Sequence, residues 1–505
     1  MTPIHSPLPG RTGAVSACPA ADSASRALSA GGIARVVGAW VLGAVCWGAG
    51  TLAQAQSAAP APKADSSLTW NGITLYGIVD VGVQYQTHGV PISDYFPAGT
   101  ESIIQKNSNS SITAVTPSNL SQSRIGLSGN EPLVGDWAGV FRLETFFNPQ
   151  SGDISDALKS QVLNNGRALD VQSTNVDSSV AGQYFAGAAY AGFSSPTYGT
   201  FTFGRHVTLL ADGVAKYDPL AASNAFSLIG FSGTTAGGGD TEDRRLDQSV
   251  KYTAKYGALH LGALYQFSGA SGSTNTATQL QLGIEGAGAS VDAYYAKKYD
   301  AIATAALSAA QVSGLAARCS TSVTPPANPL GALCFSSSNS LSGTISDNET
   351  FGVMGSYSLG TLKFSAGYEH ITFDNPKSPL PAGSLTIGGY VLAYTTNTAF
   401  DNQKTLQVFW AGVKFAATAD LDLLAAYYGY KQNSFAAGAK AGCSDNSNSA
   451  CSGTENAVSL VADYRFAKRF DGYFGTFYTG VQDGLANGYP NKSTLTTTTG
   501  IRFRF

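Results

Sequence analysis

The amino-acid sequence predicts an all-β fold, a 16-stranded antiparallel transmembrane β-barrel. Three observations carry that reading. Sixteen segments of about ten residues alternate apolar and polar side chains. The connections between them alternate short and long. The composition is rich in glycine and aromatics and poor in charge: Gly 58, Tyr 24, Phe 25 and Met 2 among 505 residues. Charged residues are 12% of the chain, against roughly 25% in ordinary globular domains. That lacks the charged surface of a cytosolic enzyme and suits aromatic girdles outside a barrel with small residues within it. The formal net charge of -3 offers no broad basic face for nucleic acid. After residue 55 no run of about 18 uncharged apolar residues occurs, which excludes a helical membrane bundle.

The first 71 residues are read separately. Arg26 and Arg35 precede an apolar stretch, Val36 to Leu52, and Ala53-Gln54-Ala55 follows as an A-x-A cleavage pattern. Residues 1–55 are therefore expected to be a cleaved signal peptide, with residues 1–25 an extension explained by a start codon called too early. A retained membrane anchor is the competing reading. Cys46 is no lipidation site, because Gly43 and Val45 break the lipobox pattern. Residues 56–71 form a short lead-in, and residues 72–505 the barrel.

The first segment, Ile73 to Gln84, puts Leu75, Val79, Val81 and Val83 with Gly77 on one face and Thr74, Tyr76, Asp80 and Gln84 on the other. Side chains alternate across a strand, so one face meets lipid and the other the lumen. A soluble sandwich shares that alternation; number and spacing separate the two. The sixteen strands are expected near 72–86, 120–130, 136–148, 183–194, 199–206, 247–256, 258–268, 276–287, 289–299, 349–359, 361–373, 404–417, 420–433, 455–467, 471–482 and 495–505. Short turns, such as Glu131–Gly135, Gly360 and Lys468–Phe470, belong to the periplasmic rim. Long loops, such as 87–119, 207–246 and 300–348, belong to the extracellular one. Within 300–348 the Ala-rich stretch Ala301 to Ala317 is expected to be a loop helix.

Four cysteines follow the leader, Cys319, Cys334, Cys443 and Cys451. Each local pair lies in a Gly/Ser-rich stretch of an exported chain, so Cys319–Cys334 and Cys443–Cys451 disulfides are expected. Zinc is set aside for want of a nearby histidine. The chain ends Ile501-Arg502-Phe503-Arg504-Phe505, alternating to a terminal Phe505 that reads as the outer-membrane assembly signal.

Five stretches resemble the general porins of Gram-negative outer membranes, in their β-proteobacterial branch: TLYGIVDVGV at 74–83, SRIGLSGNEPL at 123–133, VFRLETFFN at 140–148, SVKYTAKYGALHLGALYQF at 249–267 and ADYRFAKRFDGYFG at 462–475, with GIRFRF closing the chain. The resemblance spans about 70 to 505 and departs from the pattern in the length of loops 300–348 and 374–403. It implies a homotrimer in outer-membrane lipid, delivered by the outer-membrane assembly machinery. It also implies a water-filled channel for passive diffusion of ions and small hydrophilic solutes. The third long loop, roughly 206–246, is then expected to fold inward, bringing Asp212, Asp218, Asp240, Glu242 and Asp243 toward the pore.

Strand parity supplies the facing wall. Arg124 alternates with Ile125, Arg142 and Glu144 with Phe141 and Leu143, and Lys251 with Val250 and Tyr252. Acids facing bases make a transverse field that biases ion entry. Inward charges are nearly balanced: Arg124, Arg142, Lys251, Lys255, Arg502 and Arg504 against Asp80, Glu144, Glu285, Asp292 and Glu369. The resemblance and the arginines lean toward anions. A substrate-specific channel with a narrowed pore is the alternative. An enzyme is not expected, since His88, His206, His260 and His370 have no nucleophile motif around them. An adhesin or structural barrel is a lesser alternative. No cofactor or metal is expected.

Overall fold

The structure, a computed structural model, describes residues 68–88, 111–152, 154, 184–229, 245–269, 275–306, 341–379, 386–387, 390–391, 394–435, 450–486 and 491–505. The expected signal peptide, Cys319, Cys334, Cys443, Asp240, Glu242 and Asp243 lie outside the described residues. All of these residues lie within the compact unit Gln54–Phe505.

Sixteen strands follow one another as antiparallel neighbours. They are β1 Ile73–Gln86, β2 Arg124–Pro132, β3 Ala138–Phe146, β4 Ala188–Ser195, β5 Gly199–Val207, β6 Arg245–Tyr256, β7 Leu259–Gln266 and β8 Ala277–Gly286. The second half comprises β9 Ala289–Ala306, β10 Leu341–Leu359, β11 Leu362–Asp374, β12 Lys404–Ala416, β13 Leu421–Gln432, β14 Gly453–Ala467, β15 Phe470–Asp483 and β16 Ser493–Arg504. The expected segments match these within a few residues, except that β9 and β10 run further. Ala301–Ala306 is strand rather than helix, pairing Ala301↔Ser346 through Ala306↔Leu341 beyond a bulge at Lys298. The partner strand overrides the helical propensity of alanine there.

The sheet closes where β16 meets β1, in register Ile78↔Arg504 through Gln86↔Thr496. The chain end seals the seam with two backbone bonds: Gly77 N–H donates to the Phe505 carbonyl at 2.9 Å and Phe505 N–H to the Gly77 carbonyl at 3.0 Å. The Phe505 ring stacks on Phe503 at 6.1 Å and covers Gly77, where a Cβ would overlap it. Glycine is required there by close approach rather than by backbone angle.

The other side of β1 is shared. Ile73–Ile78 pairs with β2, and Val81–Gln86 pairs with a short strand, Ile112–Pro117. Between them the ladder is interrupted by residues 118–123. Asp80, fully buried, fills the gap: its carboxylate accepts from Leu120 N–H at 2.9 Å and Ser121 N–H at 2.7 Å, and from the Tyr473 hydroxyl at 2.5 Å. Arg502 donates to Asp471 at 3.0 Å and to Ser121 at 2.6 Å, tying β16 to the same knot.

Outward positions on β1 follow the expected parity, with Val83 and Tyr85 exposed and Tyr76, Asp80 and Gln84 buried. Exposed apolar side chains continue around the barrel, among them Phe201, Phe203, Leu280, Leu282, Phe351, Val353, Leu460 and Phe474. Such a belt suits hydrocarbon rather than water. The inner face is less uniform than alternation suggests. Along β12 to β15 the inward positions include Val408, Trp410, Tyr428, Ala457, Val461 and Phe477, all buried in one apolar cluster.

Gly77→Val is expected to push the Phe505 ring off the seam, an overpacking cost of roughly 1–3 kcal/mol. Unheated gel mobility and the urea midpoint of the folded protein measure it; an unchanged midpoint would exclude the packing role.

Candidate functional site

The cluster on β12 to β15 is covered by the chain that follows β5. Thr208 starts the helix α1, Leu209–Tyr217, its hydroxyl accepting from Ala211 N–H at 3.2 Å. Asp212 in the first turn and Lys216 in the last complement the helix dipole. Leu209, Leu210, Val214 and Tyr217 are buried against the barrel's inner wall, while Asp212 is 55% exposed. The segment 208–229 is therefore inside the barrel.

Its grip on the wall proceeds strand by strand. Leu210 N–H donates to the Gln279 side chain of β8 at 3.2 Å. Lys216 and the Tyr217 hydroxyl both reach Asp292 of β9, at 3.0 and 2.6 Å. Trp410 of β12 donates to the Tyr217 carbonyl at 3.0 Å. The Tyr428 hydroxyl of β13 donates to Asp218 at 2.6 Å, and the Tyr430 hydroxyl to the Leu228 carbonyl at 3.0 Å. Ser459 of β14 donates to the Phe226 carbonyl, and the Phe226 ring meets Tyr473 of β15 edge-on at 6.2 Å. Finally Ala225 N–H and the Ser223 hydroxyl donate to the Asn119 carbonyl, at 2.9 and 2.8 Å. The segment thus spans the barrel from β5 to the seam beside β1.

Asp218 shapes the middle of that span. Its carboxylate accepts from Leu220 N–H at 3.1 Å and Ala222 N–H at 2.9 Å, fixing a turn in which Ala221 and Ala222 hold φ of 51° and 57°. Those angles are uncommon for a residue with a Cβ, so the turn needs its clamp. Burial pushes the Asp218 carboxyl up, against the hydrogen bonds from Tyr428 and Ser227.

The wall facing the helix is charged and aromatic. Arg142 on β3 donates to the Tyr76 hydroxyl at 2.7 Å and to Glu144 at 2.5 Å. Glu144 also accepts from the Tyr76 hydroxyl at 3.0 Å and is close enough to Arg124 to feel its charge. Arg124 has no salt bridge among the described residues, and its Nε is buried without a hydrogen-bond partner. Lys251 on β6 donates to Asp212 at 2.6 Å and to the Val207 carbonyl at 2.8 Å, crossing from wall to helix. Toward the short turns, Lys255 pairs with Glu285, and His260 with Asp292.

Of the residues expected from sequence, the structure brings Arg124, Arg142 and Glu144 together on one wall and joins Lys251 to Asp212. Asp218 goes elsewhere: at 4% exposure it is an anchor for the loop rather than an exposed acid. Arg205 is buried and donates to Asp247 at 2.7 Å and to the Ala186 carbonyl at 2.9 Å. Cys451 is buried beside Gly484. Sequence reading missed Tyr190, Lys216, Tyr217, Trp410 and Tyr428. Inward parity was the available signal for Tyr190, Trp410 and Tyr428, and it went unused for want of a charge to draw attention.

A closed sixteen-stranded barrel with an apolar outer belt and a segment folded into its lumen defines the class: a transmembrane β-barrel channel scaffold. The comparisons narrow this to a family. The profile of the Gram-negative porins matches residues 39–484, and the chain belongs to that family. It is 26% identical over 197 residues to an outer membrane porin protein of Bordetella pertussis, covering 39% of this chain and 43% of the relative. The aligned region thus spans less than half of that relative. An anion-selective porin from Comamonas acidovorans shares the fold, with TM-score 0.54 and 16% identity over 86% of this chain and 99% of that one. So does the trimer form of in-vitro folded OmpT, an outer membrane protein of Vibrio cholerae, at TM-score 0.50 and 14% identity, over 86% of this chain and 99% of that one.

Two outcomes test the site's geometry. Asp218→Ala strands the Tyr428 hydroxyl and two amides, a loss of about 1–3 kcal/mol per buried donor, read as a lower urea midpoint. In single-cysteine variants of a cysteine-free background, Lys251→Cys is expected to react with a water-soluble thiol reagent. Val408→Cys, under the loop, is expected to stay unreacted in the folded protein.

Proposed function

We propose that the protein is an outer-membrane porin, a water-filled channel for passive diffusion of ions and small hydrophilic solutes. The observation that supports it best is the closed barrel with segment 208–229 seated inside, since a sixteen-stranded barrel is wide enough for an aqueous channel unless something narrows it. In this reading Asp212 on the helix faces Arg124, Arg142 and Glu144 across the narrowed section, with Lys251 bridging the two sides. Asp240, Glu242 and Asp243 complete the loop's acidic side. A fixed pattern of charge in a confined space biases which ions enter. Because Glu144 offsets one of the two arginines, we infer a mild anion preference.

The working form in this proposal is a homotrimer in outer-membrane lipid. Residues 1–55 direct export and are removed, Phe505 serves the assembly machinery, and the Cys319–Cys334 and Cys443–Cys451 disulfides close surface loops. The seating of Phe505 against Gly77 gives the terminal residue a second reason to be aromatic.

Purified protein in planar bilayers under a KCl gradient tests the channel. Large conductance steps grouped in threes, with a reversal potential on the anion side, are expected. Arg124→Ala and Arg142→Ala should each move that potential toward cations. Absence of conductance would overturn the reading.

A further inference from the structure

The wall of the narrowed section carries more than charge. Tyr76 on β1, Arg142 on β3 and Tyr190 on β4 are inward residues of closely neighbouring strands, and Arg142 and Tyr190 are direct cross-strand partners. The Tyr190 hydroxyl lies beside Arg142. One side of the Tyr190 ring is backed by the His206 imidazole, centroid to centroid 4.9 Å and 22° from parallel. His206 is itself fixed, Nδ1 to the Ser249 hydroxyl at 2.8 Å and Nε2 to the Thr202 hydroxyl at 2.9 Å. At 1% exposure it has no freedom to rotate away. Tyr190 is left half-buried, a ring held at a set angle in the lumen. Beside it Arg142 donates to Glu144, and Arg124, which also acts on Glu144, has no salt bridge among the described residues. Asp212 of the loop, which also acts on Tyr190, is engaged by Lys251.

A rigid ring next to an excess positive charge suits a solute that is flat, aromatic and anionic. The guanidiniums attract its carboxylate in a charge-assisted geometry, and the ring offers an offset-stacking face worth about 0.5–1.5 kcal/mol beyond area burial. An aliphatic acid of the same charge gains the first contribution without the second. We propose that Tyr190, positioned by His206, makes the narrowed section a transient binding site for small aromatic carboxylates. The inference rests on the channel reading above and adds a solute class to it.

Benzoate and cyclohexanecarboxylate match in charge and nearly in size and differ in planarity. Added to the conducting channel in KCl, benzoate is expected to reduce the current at several-fold lower concentration. Tyr190→Phe should keep that difference. Tyr190→Leu should abolish it. Arg142→Gln should weaken both acids together. Equal action of the two acids on the parent, or a benzoate preference that survives Tyr190→Leu, would overturn the proposal while the channel stood. No KCl conductance at all would overturn the channel reading itself and this inference with it.

Discussion

Every backbone amide that crosses hydrocarbon must find its partner inside the protein, and the rest of this structure depends on how that requirement is met at one seam. A sheet can satisfy it only by closing on itself. Here closure rests on β1, whose neighbour on one side is divided between two segments. The division leaves an interruption, and the buried Asp80 supplies it with acceptors from both side chain and main chain. The same carboxylate reaches Tyr473, and Arg502 binds the loop that Asp80 organises. First strand, interruption and last two strands are therefore one cooperative unit rather than three adjacent ones.

The second organising interaction is hydrophobic and lies where a barrel is expected to be wet. Segment 208–229 and the inner faces of β12 to β15 share a continuous apolar cluster. The lumen is thus divided: one side is a dry core much like that of a soluble domain, and the other keeps Arg124, Arg142, Lys251 and Lys255. The hydrogen bonds around the segment serve mainly to satisfy loop carbonyls that burial takes from water, as Trp410, Tyr430 and Ser459 do. Asp218 performs the same service for the amides of its turn.

Much of this was legible in the sequence. Period-two alternation fixed the sixteen strands and, with them, the inward direction of Arg124, Arg142, Glu144 and Lys251, because one residue of slip would turn each into lipid. What alternation could not reveal was the dry half of the lumen. Val408, Trp410 and Tyr428 sit at inward positions where a water-filled barrel calls for polar groups, and only the loop that covers them explains them. Asp212 and Asp218 show the same limit at finer scale. They lie six residues apart in one loop, and charge alone made them equivalent. Helix phase exposes the first, and a turn that needs an acceptor buries the second. Ala301–Ala306 failed differently, since a paired strand outweighed local composition.

The inward segment also constrains the order in which the molecule can be built. Its partners come from both ends of the chain: Asn119 precedes it, while Tyr430, Ser459 and Tyr473 follow it by some two hundred residues or more. It cannot be fully seated until β15 is in place, one strand before the seam closes. Until then Phe226 lacks its partners Ser459 and Tyr473, and β12 and β13 present apolar side chains on both faces. The barrel's last steps thus finish hiding an adhesive inner surface that earlier strands cover only in part, and the interval before them is one in which the chain needs a chaperone.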